Sequence, residues 1–298
     1  MRARERLELA TGRAQLLLLR RALCAATGLR PGVARIAGCD VAYLHRPGRG
    51  GTPLVCIHGF GGDKETWLLA APWMSRRRPL LLIDLPGHGA SGDIAEAAAS
   101  ARAQAEVVRA LLDRLGLDRV ILCGNSMGGG VSLRLARSWP ERVRGLILIG
   151  STAPEYVEND FVRRIKAGGD NDLIPDGEAG QERLTRLVLE KPPRVPRALQ
   201  RYVVRERALA RPRLERVWRG WGAAAGDDAL PRDVEAIRHP VLVVHGERDR
   251  VIDVATARAL AARLPEARLI VLGGVGHVPQ LEVPRRVARL IERFARRL

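Results

Sequence analysis

The stretch LCGNSMGGGVSL, residues 122–133, sets Ser126 among four glycines at the seam between a strand-like run and a helix-like run. Glycine weakens the interiors of helices and strands alike, by roughly 0.5–1 kcal/mol relative to alanine. A junction that collects Gly124, Gly128, Gly129 and Gly130 therefore needs backbone clearance more than local stability. Gly124-Asn125-Ser126-Met127-Gly128 fits the pattern G-x-S-x-G, in which a sharp strand-to-helix turn exposes a serine hydroxyl. The helix starting at Met127 aims its N-terminal dipole and free N–H groups at the same point. The competing reading is a glycine-rich turn with an idle serine.

Working outward, the seam sits in a repeating order. PLVCIHG (53–59), RPLLLIDLPG (78–87), RVILCG (119–124) and VRGLILIG (143–150) read as short buried strands. Helical patterns are expected at 63–75, 94–115 and 127–139. Continuous apolar strands alternating with helices imply an α/β fold, a mostly parallel sheet covered on both faces. The order stops near Pro154 and returns with PVLVVHG (240–246), ARLIVLGG (267–274) and the terminal helix PRRVARLIERFARRL (284–298). Between them lie helical pieces, GGDNDLIPDG (168–177) and the proline break EKPPRVP (190–196). The expected organisation is an N-terminal helical segment 1–30, a first part of an α/β core 31–153, a helical cap 154–236, and the second part of the core 237–298.

The chain has 298 residues, 46% of them hydrophobic, which suits one large domain or one domain with an inserted subdomain. No apolar run approaches the ~18–20 residues of a membrane span. The formal charge of +17 comes almost wholly from arginine, since Lys64, Lys166 and Lys191 are the only lysines. Two readings stand: affinity for anionic partners, or a composition bias solvating many helix faces. No aromatic-interleaved basic patch or nucleic-acid motif is present, so no nucleic-acid partner is expected. Cys24, Cys39, Cys56 and Cys123 lack metal-ligand spacing, and no metal site is expected. Read as reduced thiols, they favour the cytoplasm. The arginine- and leucine-rich segment 2–23, with Leu7, Leu16, Leu17, Leu19 and Leu23, could either lie on an anionic membrane surface or pack on the core.

Ligands of open parallel sheets bind beyond the carboxyl ends of the strands, and the polar clusters fall there. A serine needs a base to become a nucleophile. Of six histidines, His277 follows the last strand and precedes the last helix. His58 opens the loop HGFGG and is expected to shape its backbone; His245 ends a strand and reads as a structural, hydrogen-bonded histidine. Asp249 follows a strand 28 residues before His277, with Asp253 as the competing carboxylate. Asp84 reads as the cap of the turn DLPGHG. Ser126, Asp249 and His277 are thus the candidate catalytic residues, in the order Ser…Asp…His. The backbone N–H groups of Met127 and Phe60 are the candidate oxyanion donors, each typically worth about 3 kcal/mol of barrier. Phe60, Met127, Trp218 and Trp221 are candidate substrate-binding residues. Val157, Phe161, Leu173, Leu187 and Leu189 join them as cap residues that either line the pocket or pack the cap on itself.

HGFGGDKETW, DLPGHGASG, GNSMGGG, GERDRVID and GVGHVPQLE, in this order from about Pro53 to the C-terminus, resemble the α/β-hydrolase family. HGFGGDKETW, GNSMGG, the cap text and GVGHVP look like bacterial family V lipases and their monoacylglycerol-lipase relatives. That resemblance implies hydrolysis of carboxylic esters with medium or long acyl chains, a small-molecule or lipid ester as partner, and no metal or organic cofactor. This chain departs from secreted lipases in its arginine content and in lacking an evident secretion signal; the expected location is the cytoplasm, with peripheral membrane contact through the basic helix. GNSMGG also resembles the meta-cleavage-product hydrolases, which cut carbon–carbon bonds with the same triad. Several of those carry tryptophan after the histidine, where this chain has Val278. A third reading is a non-catalytic binding protein of the same fold, although such proteins commonly lack part of the triad.

Overall fold

The apolar runs assemble into one eight-stranded sheet. The computed structural model describes residues 3–223, 226 and 229–298; the other positions of the expected 1–30 and 154–236 segments lie outside the described residues. β1 (Arg30–Ile36) and β2 (Cys39–Arg46) form an antiparallel hairpin. β3 (Leu54–Ile57), β4 (Leu80–Ile83), β5 (Val120–Asn125), β6 (Val143–Ile149), β7 (Val241–Gly246) and β8 (Ala267–Leu272) follow. The strand order is β1-β2-β4-β3-β5-β6-β7-β8, antiparallel through β4 and parallel from there to β8.

Alternation of side chains along each strand divides the core between the two faces. Val55, Ile57, Leu122, Leu146 and Val243 pack on one face. There they meet α2 (Ala101–Arg114), α3 (Met127–Ser138) and α7 (Val254–Arg263) through Val108, Leu135 and Leu260. Leu54, Cys56, Ile121, Ile147 and Val244 pack on the other. Their partners include Trp67 and, from the C-terminal helix α8 (Pro284–Ala295), Val287 and Ile291. Both faces of the central strands are covered, so these strands are apolar throughout, as a buried parallel sheet requires. β5 occupies the centre of the sheet and carries Ser126 at its carboxyl end.

Two expected helices are shortened. Residues 63–75 form only the 3-10 turns Lys64–Trp67 and Ala71–Trp73. The Asp84 carboxylate takes the Lys64 amide at 2.6 Å, and Pro72 supplies no N–H and crowds the preceding turn. The expected helix 94–115 breaks at Ser100, whose hydroxyl accepts from the Ala103 amide at 3.1 Å and starts α2 afresh.

Between β6 and β7 the chain leaves the sheet and forms α4 (Asp160–Lys166), α5 (Glu178–Val188) and α6 (Arg197–Ala223), the last with Pro212 in its interior. Upstream of the sheet, α1 (Ala3–Thr27) packs along α6. Gly12 leaves no space for a side chain against the Ala198 carbonyl, and Glu8 pairs with Arg201. Leu7, Leu17, Leu18 and Leu19 of α1 stay exposed. Among the described residues no helix is long and apolar enough to cross a membrane.

Candidate active site

β5 ends at Asn125 and α3 begins at Met127, so Ser126 alone turns the chain. It does so at φ 53° and ψ −119°. Such a conformation costs a residue with a side chain on the order of 1–3 kcal/mol, and persists only where the surroundings impose it. Here the Ser126 amide donates to the Ile149 carbonyl at 3.0 Å, while its own carbonyl accepts from the amides of Gly129 at 2.9 Å and Thr152 at 3.1 Å. A Cβ at Gly128 would lie 2.5 Å from the carbonyl oxygens of both Ile57 and His58. Glycine at that position lets α3 start directly against β3. The Met127 amide, first in α3, has no acceptor within its helix.

The loop after β3 lies against this turn. A Cβ at Gly59 would sit 2.9 Å from that of Ser126. His58 is fully buried. Its Nε2 accepts from the Leu85 amide at 3.0 Å, which leaves Nδ1 to donate to the Gly59 carbonyl at 2.7 Å. Burial lowers the pKa of this imidazole against the pull of Asp84, so the ring is neutral. Asp84 takes the amides of Lys64 at 2.6 Å and Ala90 at 2.8 Å and pairs with Lys64 Nζ at 2.5 Å. It therefore ties the loop after β3 to the loop after β4. Phe60 is held between the rings of Trp218, 5.2 Å away, and His88, 5.8 Å away.

Asp249 and His277 stand on the loops after β7 and β8. His277 Nδ1 lies 2.7 Å from Asp249 Oδ2. Asp249 Oδ1 accepts from the amides of Val251 at 2.8 Å and Ile252 at 2.9 Å. Burial would raise the pKa of this carboxyl. The charge of His277 and hydrogen bonds from His245 and His277 outweigh it and hold Asp249 well below the usual carboxylate range. An ionised Asp249 accepts from His277 Nδ1–H, which leaves Nε2 with a free lone pair. His245 approaches from the other side, with Nε2 3.2 Å from Asp249 Oδ2 and 2.8 Å from the Ile252 carbonyl. Both neighbours are acceptors, so Nε2 carries the proton. Burial works against protonation of His245, yet its bond to Asp249 and that carboxylate's charge raise its pKa. Asp253 instead caps α7, accepting from the Ala255 amide at 2.8 Å, and has no bond to His277.

Two lobes meet at Ser126. The larger, about 490 Å³, is apolar and lined by Phe60, Met127, Phe161, Leu173, Trp218 and Trp221. Its volume suits a small-molecule ligand. The smaller, about 150 Å³, has His277 in its wall, with Thr66, Gln181, Leu189 and Arg207. Of the other residues anticipated as lining, Val157 is exposed and Leu187 packs beside Phe161, Val251 and Ile252. Tyr156, Ile252, Gln181 and Arg207 were not anticipated. They sit in loops or on helices whose inward face only tertiary packing selects. Among the described residues no group of three or more histidines, cysteines or carboxylates could hold a metal ion.

The eight-stranded, mostly parallel sheet flanked by helices agrees with the family comparison. The model of the α/β hydrolase family matches residues 54–290, and the chain belongs to that family. It is a hydrolase by fold. The chain is 32% identical to a dihydrolipoyllysine-residue acetyltransferase component of the acetoin cleaving system of Pseudomonas putida, covering 91% of this chain and 71% of that one. It is 27% identical to lipase 3 of a Moraxella species, covering 87% and 82%. A bacterial membrane phospholipase A has a similar structure, with a TM-score of 0.87 and 26% identity over 97% of this chain and 93% of that one.

Proposed function

We propose that the protein is a serine hydrolase that cleaves carboxylic esters with medium or long acyl chains, acylglycerols among them, through an acyl-enzyme on Ser126. The observation that carries this reading is the Asp249–His277 pair beside a strained Ser126 at the junction of an apolar lobe and a more polar one. The lipase name of the Moraxella relative and the phospholipase name of the structural neighbour support an acyl ester as substrate.

In this mechanism the acyl chain fills the larger lobe. His277 Nε2 takes the Ser126 proton as Oγ attacks the ester carbonyl. Asp249 holds the productive tautomer and stabilises the imidazolium. The N–H groups of Phe60 and Met127 receive the oxyanion, acting where charge develops and water is excluded. The tetrahedral intermediate collapses and the alcohol departs with the proton from His277. Water, deprotonated by His277, then attacks the acyl-enzyme and releases the carboxylic acid. Residues 154–236 act as the cap that shapes both lobes. The exposed leucines of α1, set among arginines, give the protein a surface that lies on anionic membrane, where such esters are concentrated.

The test is labelling by a fluorophosphonate together with turnover of a p-nitrophenyl ester series. Ser126→Ala is expected to abolish labelling and to lower kcat by about 10⁶ while the protein stays folded. Folded Ser126→Ala with near-normal turnover removes this serine as nucleophile. Turnover of a meta-cleavage dienoate without ester turnover replaces ester cleavage by carbon–carbon cleavage.

A further inference from the structure

The leaving group of an acyl transfer must stand where the general acid can protonate it. Of the two lobes at Ser126, His277 lines the smaller. If the serine-esterase reading holds, the acyl chain occupies the apolar lobe and the alcohol occupies the one beside His277. The polar character of that second lobe therefore describes the alcohol.

Its wall holds an unusual residue. Arg207, on the inner side of α6, is half-buried in the wall of this lobe, and among the described residues it forms no hydrogen bond and no ion pair. Four other arginines of α6 are paired. Arg201 pairs with Glu8 and Glu178, Arg211 with Glu215, Arg216 with Asp93 and Arg219 with Glu96, all from the same helix. Burial lowers the pKa of Arg207, and the more distant Asp63 only partly offsets this. Asp63 is already engaged, its carboxylate accepting from the Glu65 amide at 2.8 Å. A guanidinium that opens into a cavity without a counter-ion is placed to receive an anionic ligand. On the same wall, Gln181 Nε2 donates to Thr185 Oγ1 at 3.2 Å, while its Oε1 is buried without a donor.

We propose that the smaller lobe is an anion subsite for the leaving alcohol, in which Arg207 binds a phosphate carried by a glycerol-type alcohol. The substrate class is then an acyl glycerophosphate, with the ester carbonyl at Ser126. The guanidinium matches phosphate oxygens with two parallel N–H donors, a geometry lysine lacks. Gln181 Oε1, turned about its terminal torsion, meets the remaining glycerol hydroxyl. The reaction is ordinary ester hydrolysis: the alcohol oxygen takes its proton from His277 and leaves as glycerol phosphate.

The test compares kcat/KM for a 1-acylglycerol 3-phosphate and the same 1-acylglycerol. It uses the whole protein, Arg207→Gln, Arg207→Lys, and Arg205→Gln as an exposed-charge control on the same helix. The ratio of phosphorylated to neutral substrate is expected to fall about 10- to 100-fold in Arg207→Gln, as for one charge-assisted hydrogen-bonding partner. Arg207→Lys should restore part of the ratio. Arg205→Gln should hold it within about twofold, since an exposed charge is screened. Isothermal titration with glycerol 3-phosphate should show binding that Arg207→Gln removes. An unchanged ratio in folded Arg207→Gln overturns the subsite and leaves the esterase standing. Equal binding of inorganic phosphate and glycerol 3-phosphate overturns the leaving-alcohol assignment. Arg207-dependent binding of glycerol 3-phosphate without hydrolysis of either ester supports the subsite and overturns the esterase.

Discussion

Replacing Asp249 by asparagine changes one atom and tests the whole relay. The two oxygens of Asp249 have distinct partners. Oδ1 accepts from the Val251 and Ile252 amides at 2.8 and 2.9 Å, and Oδ2 faces His277 Nδ1 at 2.7 Å and His245 Nε2 at 3.2 Å. An asparagine must keep its oxygen toward the two amides. Its NH₂ then points at His277 Nδ1 and forces that nitrogen to accept, which moves the ring proton to Nε2. In that tautomer His277 cannot take a proton from Ser126. Flipping the amide restores the tautomer but sets NH₂ against two N–H groups. Leaving both unpaired costs about 2–6 kcal/mol. The productive form thus falls to between about one molecule in thirty and one in 2 × 10⁴. The His245 Nε2–H also faces the NH₂ of the unproductive form, which favours the flip and places the loss of kcat between about 30-fold and the 10⁴-fold of a wholly wrong tautomer. Hydrolysis of p-nitrophenyl octanoate, with thermal unfolding as the fold check, measures it. Asp253→Asn retains the cap of α7 and should change kcat little. A folded Asp249→Asn protein within about tenfold of wild type, or a larger loss in Asp253→Asn, would refute the argument.

Gly128→Ala should destabilise the protein by about 1–3 kcal/mol and cut activity, because the new methyl would press on two carbonyl oxygens of the neighbouring backbone; an unchanged melting temperature counts against the tight contact. Burial, aided by Asp63 and opposed by Arg20, pushes the Glu65 carboxyl up to about 7 from 4.5. The folded state then binds the extra proton across that window, so this group's contribution to stability falls as pH rises from about 4.5 to about 7 and is level above. Glu65→Gln should flatten the pH profile of the melting temperature in that window, and parallel profiles for the two proteins would refute it. Co-sedimentation with anionic vesicles should be strong at low salt, weak at high salt, and reduced by Leu7→Gln with Leu18→Gln; binding indifferent to both leucines would move the contact away from α1.

The elements that the sequence disclosed are those whose cause is local. Gly124 and Gly128 flank Ser126 because the turn itself excludes side chains, and that constraint is visible in five residues. Asp249 and His277 were reachable because strand ends lie at one edge of a parallel sheet. The shortened helix after Asp63 was hidden because the Lys64 amide is claimed by Asp84, 20 positions away in sequence. His245 is buried and hydrogen-bonded at a strand end, but its contact with Asp249 depends on how the loop after β7 folds back. Arg207 was indistinguishable from its neighbours. One arginine among many on a long helix acquires meaning only when packing decides which face turns inward.

Helix α6 carries residues of both lobes, Arg207 on one side of Pro212 and Trp218 and Trp221 on the other. A proline there deletes one rung of the helical ladder and loosens the rod at that point. The first half is fastened to α1 at Gly12 and Glu8, and the second to the segment at Glu96, where Gly220 lies against its carbonyl. The helix is therefore anchored separately on either side of Pro212. Substitutions that reshape the larger lobe can then leave the smaller one undisturbed, so double substitutions across Pro212 should combine with little epistasis.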